Sequence, residues 1–390
     1  MAYVEAHGRM FRVRVRMADR SLVTDSVFPL RRQAQDRAAE IDIAVRRGSS
    51  GYPRHPPVSL SAWAGMCAKS WLITPATRES YDGHLRRHIL PALGELPLEV
   101  IDRAAVQEWI GRLREIMAPG SVHDVVKVLS LLMNAAVREG RIARNPCWQL
   151  NLRTISPERP HATAAQVIQV ADRMGFWIYQ AAVVTAAYTG LRFGELAGLR
   201  RDCVDVERGW IYIDRQHGSL IEIGGRLLAG PPKTPAGAGR IITVPPFLSG
   251  LLALVLAAHD EPYVFVGSRR AVLRRNGFGR VWRKAVREVV ALPGNQMLRG
   301  LHFHDMRGTH KTWMLEDNIP LVAQYQRLGH KLKGIEGVYG HNTPRMQQQI
   351  TTSLQKRWNA SGGPALATEI ENSSQRLQRT RHLPSISAGV

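Results

Sequence analysis

Six dispersed residues carry the side chains that a phosphoryl-transfer reaction needs. Such a reaction requires a nucleophile, cations that offset the charge on the non-bridging oxygens, and an acid that protonates the leaving oxygen. One tyrosine can supply the nucleophile, and two arginines, two histidines and one lysine can supply the cations and the protons. The set therefore predicts a phosphoryl-transfer site. In chain order the six residues are Arg192, Lys233, His304, Arg307, His330 and Tyr339.

The tyrosine of this set needs positive charge around it. A phenol has an ordinary pKa of about 10, so it is a poor nucleophile at neutral pH unless nearby cations favour the phenolate. Arg192 and Arg307 suit this task, because a guanidinium can donate two parallel hydrogen bonds to one phosphate. His304 lies three residues before Arg307, which places the two on neighbouring positions of one helical turn. We therefore expect both to face one phosphate.

Each motif taken alone also has a structural explanation. Gly190 is typical of a helix C-cap, and Glu195 is typical of the first turn of the helix that would follow. Lys233 lies in a loop rich in Gly and Pro, where a lysine is normally only exposed to solvent. The residues before His330 have the composition of a turn. The functional interpretation therefore depends on the joint order of the six residues.

That order and spacing resembles the tyrosine recombinases, the phage-integrase family. The resemblance implies that Tyr339 attacks a scissile DNA phosphate, forms a 3′-phosphotyrosyl bond and releases a 5′-hydroxyl. The energy of the broken bond is then kept for joining to a new strand. The resemblance therefore implies a reaction that needs no ATP, no metal ion and no other cofactor.

The same resemblance implies a role for each remaining residue. Lys233 matches the lysine that family members use as the general acid toward the 5′-oxygen. His330 matches the position that donates a hydrogen bond to a non-bridging oxygen, and His304 is then the general acid or base near the nucleophile. Arg192 and Arg307 are expected to stabilise the charge of the transition state.

Supporting residues and one departure from the family pattern accompany these six. Glu195 and Asp305 are expected to orient the catalytic arginine or histidine beside them. Gly308 stands where the family more often has a second histidine directly after the arginine, and His310 lies two residues later.

The charge of the chain agrees with a nucleic-acid partner. The formal net charge is +21 over 390 residues, and a positive field of that size favours binding to a polyanion such as DNA or RNA. The basic residues are mostly arginine, which suits phosphate recognition but is also what a GC-rich genome encodes. The excess of positive charge is present under either explanation.

The cysteines and the apolar segments indicate the compartment. Cys67, Cys147 and Cys203 match no zinc-ligand spacing and are too few for a disulfide framework. Residues 1–16 contain no apolar signal core, and the longest apolar run, Leu248–His259, is too short to span a bilayer. We expect a protein of the bacterial cytoplasm, associated with the nucleoid and with no membrane partner.

The N-terminal region has the pattern of a small sheet and a helix. Residues 11–17 alternate apolar side chains with arginines, which is typical of a strand with one buried and one solvated face. Residues 22–28 are expected to form a second strand and residues 31–47 a helix that ends before Gly48. This module, residues 1–47, resembles the arm-type DNA-binding domains of many integrases. The alternative is a hairpin whose arginine face only keeps it soluble.

An all-helical region follows a linker at residues 48–57. Residues 58–155 resemble the core-binding domain of the family. Four helical patterns occur in it, at residues 60–72, 77–89, 103–117 and 121–139. Its basic residues are either contacts for DNA phosphates or an ordinary solvated face. They are Arg86, Arg87, Lys127, Arg138, Arg141 and Arg144.

The pattern becomes mixed after a second linker at residues 156–162. Residues 163–358, the predicted catalytic domain, combine helices with short strand-like runs at 210–214, 222–228 and 241–244. The tail, residues 359–390, has few large apolar side chains and is expected to be disordered. The predicted fold is therefore multidomain: a small α+β arm-binding module, an all-α core-binding domain, and a mainly α (α+β) catalytic domain with a small β-sheet.

The sequence thus predicts a site-specific DNA recombinase of the integrase type, from a phage or another mobile element. Its expected partners are double-stranded DNA at core and arm sites, other copies of the chain in a homotetramer, and DNA-bending or directionality proteins. Two alternatives stay open. One is a DNA-binding protein that has lost cleavage on the same scaffold. The other is a recombinase that resolves chromosome or plasmid dimers, although such enzymes typically lack an N-terminal arm domain.

Overall fold

The chain is described from a computed structural model, which covers residues 2–16, 22–46, 57–150, 152, 158–332, 334 and 340–381. It divides into two compact units, Met1–Pro157 and Glu158–Val390. Two clusters of buried residues form the interior of the first unit and one larger cluster forms that of the second. Most of the predicted linker 48–57, and the start of the linker 156–162, lie outside the described residues.

The N-terminal segment forms a three-stranded antiparallel sheet with one helix packed on it. Strand β1 (Ala2–His7) pairs with β2 (Met10–Arg16), β2 pairs with β3 (Leu22–Phe28), and helix α1 (Arg31–Arg46) follows. The sequence pattern indicated β2, β3 and α1 but not β1, because the two alanines of β1 weaken its alternation. The buried residues of this segment are Val13, Val15, Ala34, Ala38 and Ile41.

The neighbouring strands partly neutralise the arginines of β2. Arg12 donates a hydrogen bond to the carboxylate of Glu5, and Arg14 lies 3.6 Å from the same carboxylate. Arg14 also donates to the carbonyl of Leu22 at 3.3 Å, whereas Arg16 is exposed. The arginines of β2 therefore connect neighbouring strands of the sheet, and they also add positive charge to its surface.

The second segment of the first unit is a helical bundle. Three of its helices begin at a capping residue, because Ser59, Thr74 and Asp102 each accept a hydrogen bond from a backbone N–H three residues further on. Trp63 and Trp109 are fully buried in its core. The helices are α2 (Leu60–Ser70), α3 (Pro75–His84), α4 (Leu90–Leu93), α5 (Arg103–Ile116) and α6 (Pro119–Arg138), with a π-helical turn at Leu85–Ile89.

Helix α6 is long and apolar enough, by composition alone, to cross a bilayer. Its apolar residues, among them Val125, Leu129 and Leu132, are buried in the core of the bundle. This is the ordinary behaviour of a core helix. In the described part of the chain no other helix meets the same test.

The second unit is mainly helical and carries two small antiparallel sheets. One sheet has the order β4 (Val204–Asp205), β5 (Trp210–Ile213), β8 (Arg240–Thr243), and the other pairs β6 (Ser219–Ile223) with β7 (Arg226–Gly230). The helices are α7 (Ala164–Asp172), α8 (Trp177–Thr189), α9 (Phe193–Ala197), α10 (Pro246–Ala257), α11 (Arg275–Val290), α12 (Asp305–Glu316), α13 (Leu321–Leu328), α14 (Pro344–Asn359) and α15 (Gly363–Arg381).

The single strand predicted at residues 222–228 is wrong, because this region belongs to the β6–β7 hairpin. Gly224 and Gly225 have φ angles of 54° and 77°, left-handed conformations that glycine adopts without a steric penalty. They form the tight turn between the two strands. Apolar residues on both sides of the glycine pair gave the appearance of one continuous strand.

Helix α8 forms the buried centre of the second unit. Every residue from Ala181 to Thr189 is buried, so this part of the helix has no solvated face. The ring of Tyr188 packs edge-on against Phe247 and Trp313, with centroids 4.9 and 5.0 Å away. The chain that leaves α8 at its C-terminal end therefore starts from a fixed position.

The prediction that residues 359–390 are disordered is wrong for helix α15. Leu366 and Ile370, four residues apart on one face of this helix, are buried in the core of the second unit. Two large apolar side chains at helical spacing are enough to dock a helix whose other residues are mostly polar. Residues 382–390 lie outside the described residues.

We predict that Leu366→Ala lowers the free energy of unfolding by about 2–5 kcal/mol, because it removes buried apolar atoms and leaves a cavity. Leu315→Ala is the matched control, since Leu315 is 51% exposed, and its expected effect is below about 1 kcal/mol. Urea unfolding followed by tryptophan fluorescence measures both. Equal small effects would show that α15 contributes nothing to the fold.

Candidate active site

The site begins where helix α8 ends. Gly190 caps α8 with a φ of 69°, in the left-handed region. A Cβ atom at this position would lie 2.6 Å from the side chain of Leu328 and 3.0 Å from that of His310, so only glycine fits. Arg192 follows as the N-cap of α9. A structural role for Gly190 as a helix cap is therefore compatible with a catalytic role for Arg192.

Glu195 holds two arginines at once. Its carboxylate accepts hydrogen bonds from the backbone N–H and the Nη1 of Arg192, at 2.9 and 3.0 Å. It also accepts from the Nη2 and Nη1 of Arg240, at 2.8 and 3.2 Å. The expected contact between Glu195 and Arg192 is thus present, and Arg240 is a second partner of the same carboxylate.

Glu195 stays ionised although its side chain is only 1% exposed. Burial by itself raises the pKa of this carboxyl group, but the hydrogen bonds and charges of Arg240 and Arg192 outweigh burial and lower the pKa below its ordinary value. A charged carboxylate is therefore available to fix both guanidinium groups.

Arg307 reaches the same region from the first turn of α12. Its Nη1 donates to the carbonyl of Gly190 at 2.7 Å, and its Nη2 donates to the carbonyl of Leu328. Burial, followed by the charge of Arg192, lowers the pKa of Arg307 to about 9. Because that value is above neutral pH, the guanidinium remains charged in the interior.

His330 contacts the guanidinium of Arg307. Its Nε2 lies 2.9 Å from Nη2 of Arg307, and since a guanidinium only donates, Nε2 must be the unprotonated acceptor. Burial, followed by the charges of Arg307 and Arg192, lowers the pKa of His330 to about 4. The imidazole is therefore neutral at pH 7, with its Nδ1–H as the donor that remains.

His304 and Lys233 lie at the exposed rim of the site. Both residues are exposed. Desolvation, followed by the charges of Arg307, Arg192 and Lys233, lowers the pKa of His304, while Asp305 opposes them. The imidazole is therefore neutral at pH 7, and the ammonium group of Lys233 lies near enough to affect it.

Lys233 lies in the connection between β7 and β8, which belong to different sheets. The hydroxyl of the next residue, Thr234, donates to the carbonyl of Gly329 at 3.0 Å. This bond ties the lysine loop to the turn that carries His330. Five of the six predicted residues are thus placed in one region, and the sixth, Tyr339, lies outside the described residues.

Sequence reasoning missed two buried arginines of this region, Arg240 and Arg327, which are 5% and 4% exposed. Each had a signal in the sequence. Arg240 directly precedes the apolar run of strand β8. Arg327 lies on the face of α13 that also carries Ala323 and Gln324, four and three residues earlier, and all three are buried. A charged residue at an apolar position of a helix indicates a specific partner.

Positive charge exceeds negative charge in this cluster. Four guanidinium groups, those of Arg192, Arg240, Arg307 and Arg327, lie in one region of the described structure, and the carboxylate in hydrogen-bond contact with them there is that of Glu195. Such an excess at the edge of a buried site favours an anion. Each guanidinium group can donate two parallel hydrogen bonds to the oxygens of one phosphate.

The fold and the site together define an enzyme of phosphoryl transfer, built on a helix-rich catalytic unit preceded by a helical bundle. The profile described as the phage integrase family matches residues 161–346, and that of the phage integrase N-terminal SAM-like domain matches residues 69–114. The chain belongs to the phage integrase family, the tyrosine recombinases.

Individual relatives agree with this assignment. The integrase of Mycobacterium phage L5 is 27% identical over 309 residues, which cover 74% of this chain and 75% of that protein. The Tn1549 transposon integrase, in complex with a circular intermediate DNA, covers 75% of this chain with a TM-score of 0.60 at 19% identity. A lambda integrase tetramer bound to a Holliday junction covers 88% with a TM-score of 0.54 at 18% identity. The two structures share the fold.

We predict that the free energy of unfolding of His330→Asn falls less than that of the wild type as the pH is lowered. The pKa of His330 in the folded state is about 4, below the ordinary value of about 6.5. Its contribution to stability is therefore complete above pH 6.5 and is lost as the pH falls toward 4. The variant is expected to lose about 1–2 kcal/mol less than the wild type over this range.

Urea unfolding at a series of pH values measures this difference. His302→Asn, at an exposed histidine of the same unit, is the matched control and is expected to follow the wild-type curve. Parallel curves for His330→Asn and the wild type would contradict the assignment of a neutral His330.

Proposed function

We propose that this chain is an integrase, a site-specific DNA recombinase that cuts and rejoins DNA through a 3′-phosphotyrosyl intermediate. The observation that carries the proposal is the cluster of Arg192, Glu195, Arg307 and His330. In it Glu195 holds Arg192, Arg307 contacts His330, and an excess of positive charge lies around one neutral imidazole. This arrangement suits a phosphodiester, whose charge increases on its non-bridging oxygens as the bond to phosphorus forms.

In the proposed complex the scissile phosphate lies against the two arginines. Arg192 and Arg307 donate to its non-bridging oxygens, which offsets the charge of the transition state. His330 donates through its Nδ1–H, because its Nε2 already accepts from Arg307. The acceptors behind the arginines are in place before DNA binds, so little reorganisation is needed in the reaction.

The chemical step is a displacement at phosphorus. The oxygen of Tyr339 forms a bond to phosphorus while the bond from phosphorus to the 5′-oxygen breaks. The phenol proton passes to the neutral imidazole of His304, and Lys233 donates a proton to the 5′-oxygen. Rejoining is the reverse reaction with the 5′-hydroxyl of another strand.

A basic stripe on α11 is proposed to bind the DNA backbone beside the site. Arg280, Arg283 and Arg287 are exposed at helical spacing, and no carboxylate lies within salt-bridge distance of them among the described residues. At the start of the helix, Arg275 lies 5.5 Å over the ring of Phe193, the residue after Arg192. From Arg275 to Arg287 the helix rises by about 18 Å, away from the reacting phosphate.

The remaining regions have proposed roles in assembly. Residues 1–47 bind arm sites and residues 58–155 bind core sites, while residues 163–358 catalyse. Four copies act as a homotetramer on two duplexes in the bacterial cytoplasm, and DNA-bending or directionality proteins assist. The additional sheet module favours an integrase of a phage or other mobile element over a recombinase that resolves dimers.

We predict that wild-type protein, incubated without metal or ATP, forms a denaturant-resistant adduct with nicked duplexes tiled across the DNA that flanks its own gene. Tyr339→Phe is expected to form none, because it lacks the nucleophilic oxygen. Gel electrophoresis in denaturant, followed by peptide mapping, measures the adduct. Tyr188→Phe is the control for loss of a phenol in the core.

An adduct with the Tyr339→Phe protein would remove this residue from the mechanism. If the wild type binds the duplexes in a salt-sensitive manner and yet forms no adduct with any of them, the alternative of a catalytically silent DNA-binding protein is favoured.

We predict that the double variant Arg283→Ala/Arg287→Ala reduces the slope of log K against log salt by about 2, because each arginine releases about one counterion on contact with a phosphate. Arg208→Ala is the matched control: Arg208 is exposed but lies 3.8 Å from Asp205, which already offsets its charge. Fluorescence anisotropy at several salt concentrations measures the slopes. An unchanged slope would remove α11 from the DNA interface.

A further inference from the structure

We propose that Arg327 is a positioning residue for the catalytic cations. Its buried side chain fixes the C-terminal end of α13, whose backbone carbonyl groups accept hydrogen bonds from residues of the site. This inference rests on the proposed function, because it assigns a further residue to the same reaction.

Three successive carbonyl groups at the end of α13 each hold a different part of the site. The carbonyl of Arg327 accepts from Nε of Arg240 at 3.0 Å, and that of Leu328 accepts from Arg307. The carbonyl of Gly329 accepts from Thr234, beside the catalytic lysine. Carbonyls at a helix end have no partner inside the helix, and they favour cations.

The side chain of Arg327 anchors this helix end to three other elements. Its Nε donates to Nε2 of His310 in α12 at 2.9 Å. Its Nη1 donates to the carbonyl of Thr243 in β8 at 2.8 Å, and its Nη2 donates to the carbonyl of Tyr188 in α8 at 3.0 Å. Three acceptors on three elements therefore fix one guanidinium plane.

His310 completes the anchor in a defined protonation state. Its Nδ1 donates to the carbonyl of Ala187 at 2.9 Å, so its Nε2 is free to accept from Arg327. Burial, followed by the charge of Arg327, lowers the pKa of His310 well below its ordinary value. The histidine two residues after Gly308 is thus an acceptor for Arg327 and lies away from the exposed rim.

Fold stability alone does not explain an arginine at this position. Arg327 is 4% exposed, and no carboxylate of the described residues lies within salt-bridge distance of it. An apolar side chain of similar volume generally anchors a helix at equal or lower cost than a buried unpaired charge. The guanidinium adds a fixed orientation to the hydrogen bonds that it donates, because its donors form a rigid planar fork.

The anchor is connected to Arg192 through a short series of contacts. The carbonyl of Arg327 holds Arg240, Arg240 pairs with Glu195, and Glu195 holds Arg192. A shift of the end of α13 therefore displaces Arg192 and Arg307 together. A displacement of about 1 Å in a positioned group can reduce a rate about 100-fold.

The test compares Arg327→Met and Arg327→Lys with the matched control Arg201→Met. Arg201 also binds backbone carbonyls in the same unit, those of Leu256 in the last turn of α10 and of His259 just after it, at 2.9 and 2.7 Å. Among the described residues it has no contact with the catalytic cations. Lysine keeps the charge of Arg327 without its fork of donors, so it separates charge from geometry.

Three quantities are measured on the full-length proteins with the nicked duplexes tiled across the DNA flanking the gene: the single-turnover rate of adduct formation, Kd for the duplex, and the thermal midpoint. We expect both Arg327 variants to lose about 100-fold in rate with Kd within about twofold of wild type. Rates are compared at a temperature at which every protein is folded. Arg201→Met is expected to keep the wild-type rate even where its thermal midpoint falls as far.

A wild-type rate in Arg327→Lys would overturn the inference, because charge alone would then suffice. A loss of rate in Arg201→Met equal to that in Arg327→Met at the same thermal midpoint would also overturn it. If Arg327→Met fails to fold, Arg327→Lys decides by the same rate criterion. Absence of adduct with the wild type in the same assay would count against the proposed function. This outcome is distinguishable from a failure of the inference about Arg327.

Discussion

Repulsion among four guanidinium groups gathered in one region is the constraint that the catalytic unit has to satisfy. Positive charges at short range in a medium of low dielectric destabilise one another unless acceptors surround them. Here one carboxylate, that of Glu195, the imidazoles of His310 and His330, and a series of backbone carbonyls provide those acceptors. The positive charges are therefore stabilised but not fully neutralised. The excess positive charge is available to attract a phosphate.

Because most of the acceptors are backbone carbonyls, the ends of helices, where carbonyls lack a partner inside the helix, matter more than their middles. The chain leaves α8 at Gly190 and α13 at Gly329, and both glycines have left-handed conformations. A Cβ atom on Gly329 would lie 2.6 Å from the backbone of Gly237, so the turn and the lysine loop meet through main-chain atoms. The same close approach that needs glycine brings the carbonyls within reach of the arginines.

The sequence indicated the candidate residues of this site more completely than the groups that support them. Order along the chain selected Arg307 and His330, and the structure places these two side chains in contact. Arg240 and Arg327 were missed because most of their partners are distant in sequence and several of these are backbone carbonyl groups, which carry no sequence signal. Local pattern also failed at the tail, where Leu366 and Ile370 dock a helix on a surface that only the folded unit provides.

The main-chain origin of the acceptors has a consequence for how such a site is found by experiment. Alanine scanning removes side chains, so it detects the donors, such as Arg307, and the single carboxylate of Glu195. It leaves the carbonyl of Leu328 in place and registers only the lost packing of a side chain that is 1% exposed. The contribution of the backbone carbonyls is thus invisible to side-chain mutagenesis, and amide-to-ester replacement in the backbone is the chemistry that reaches it.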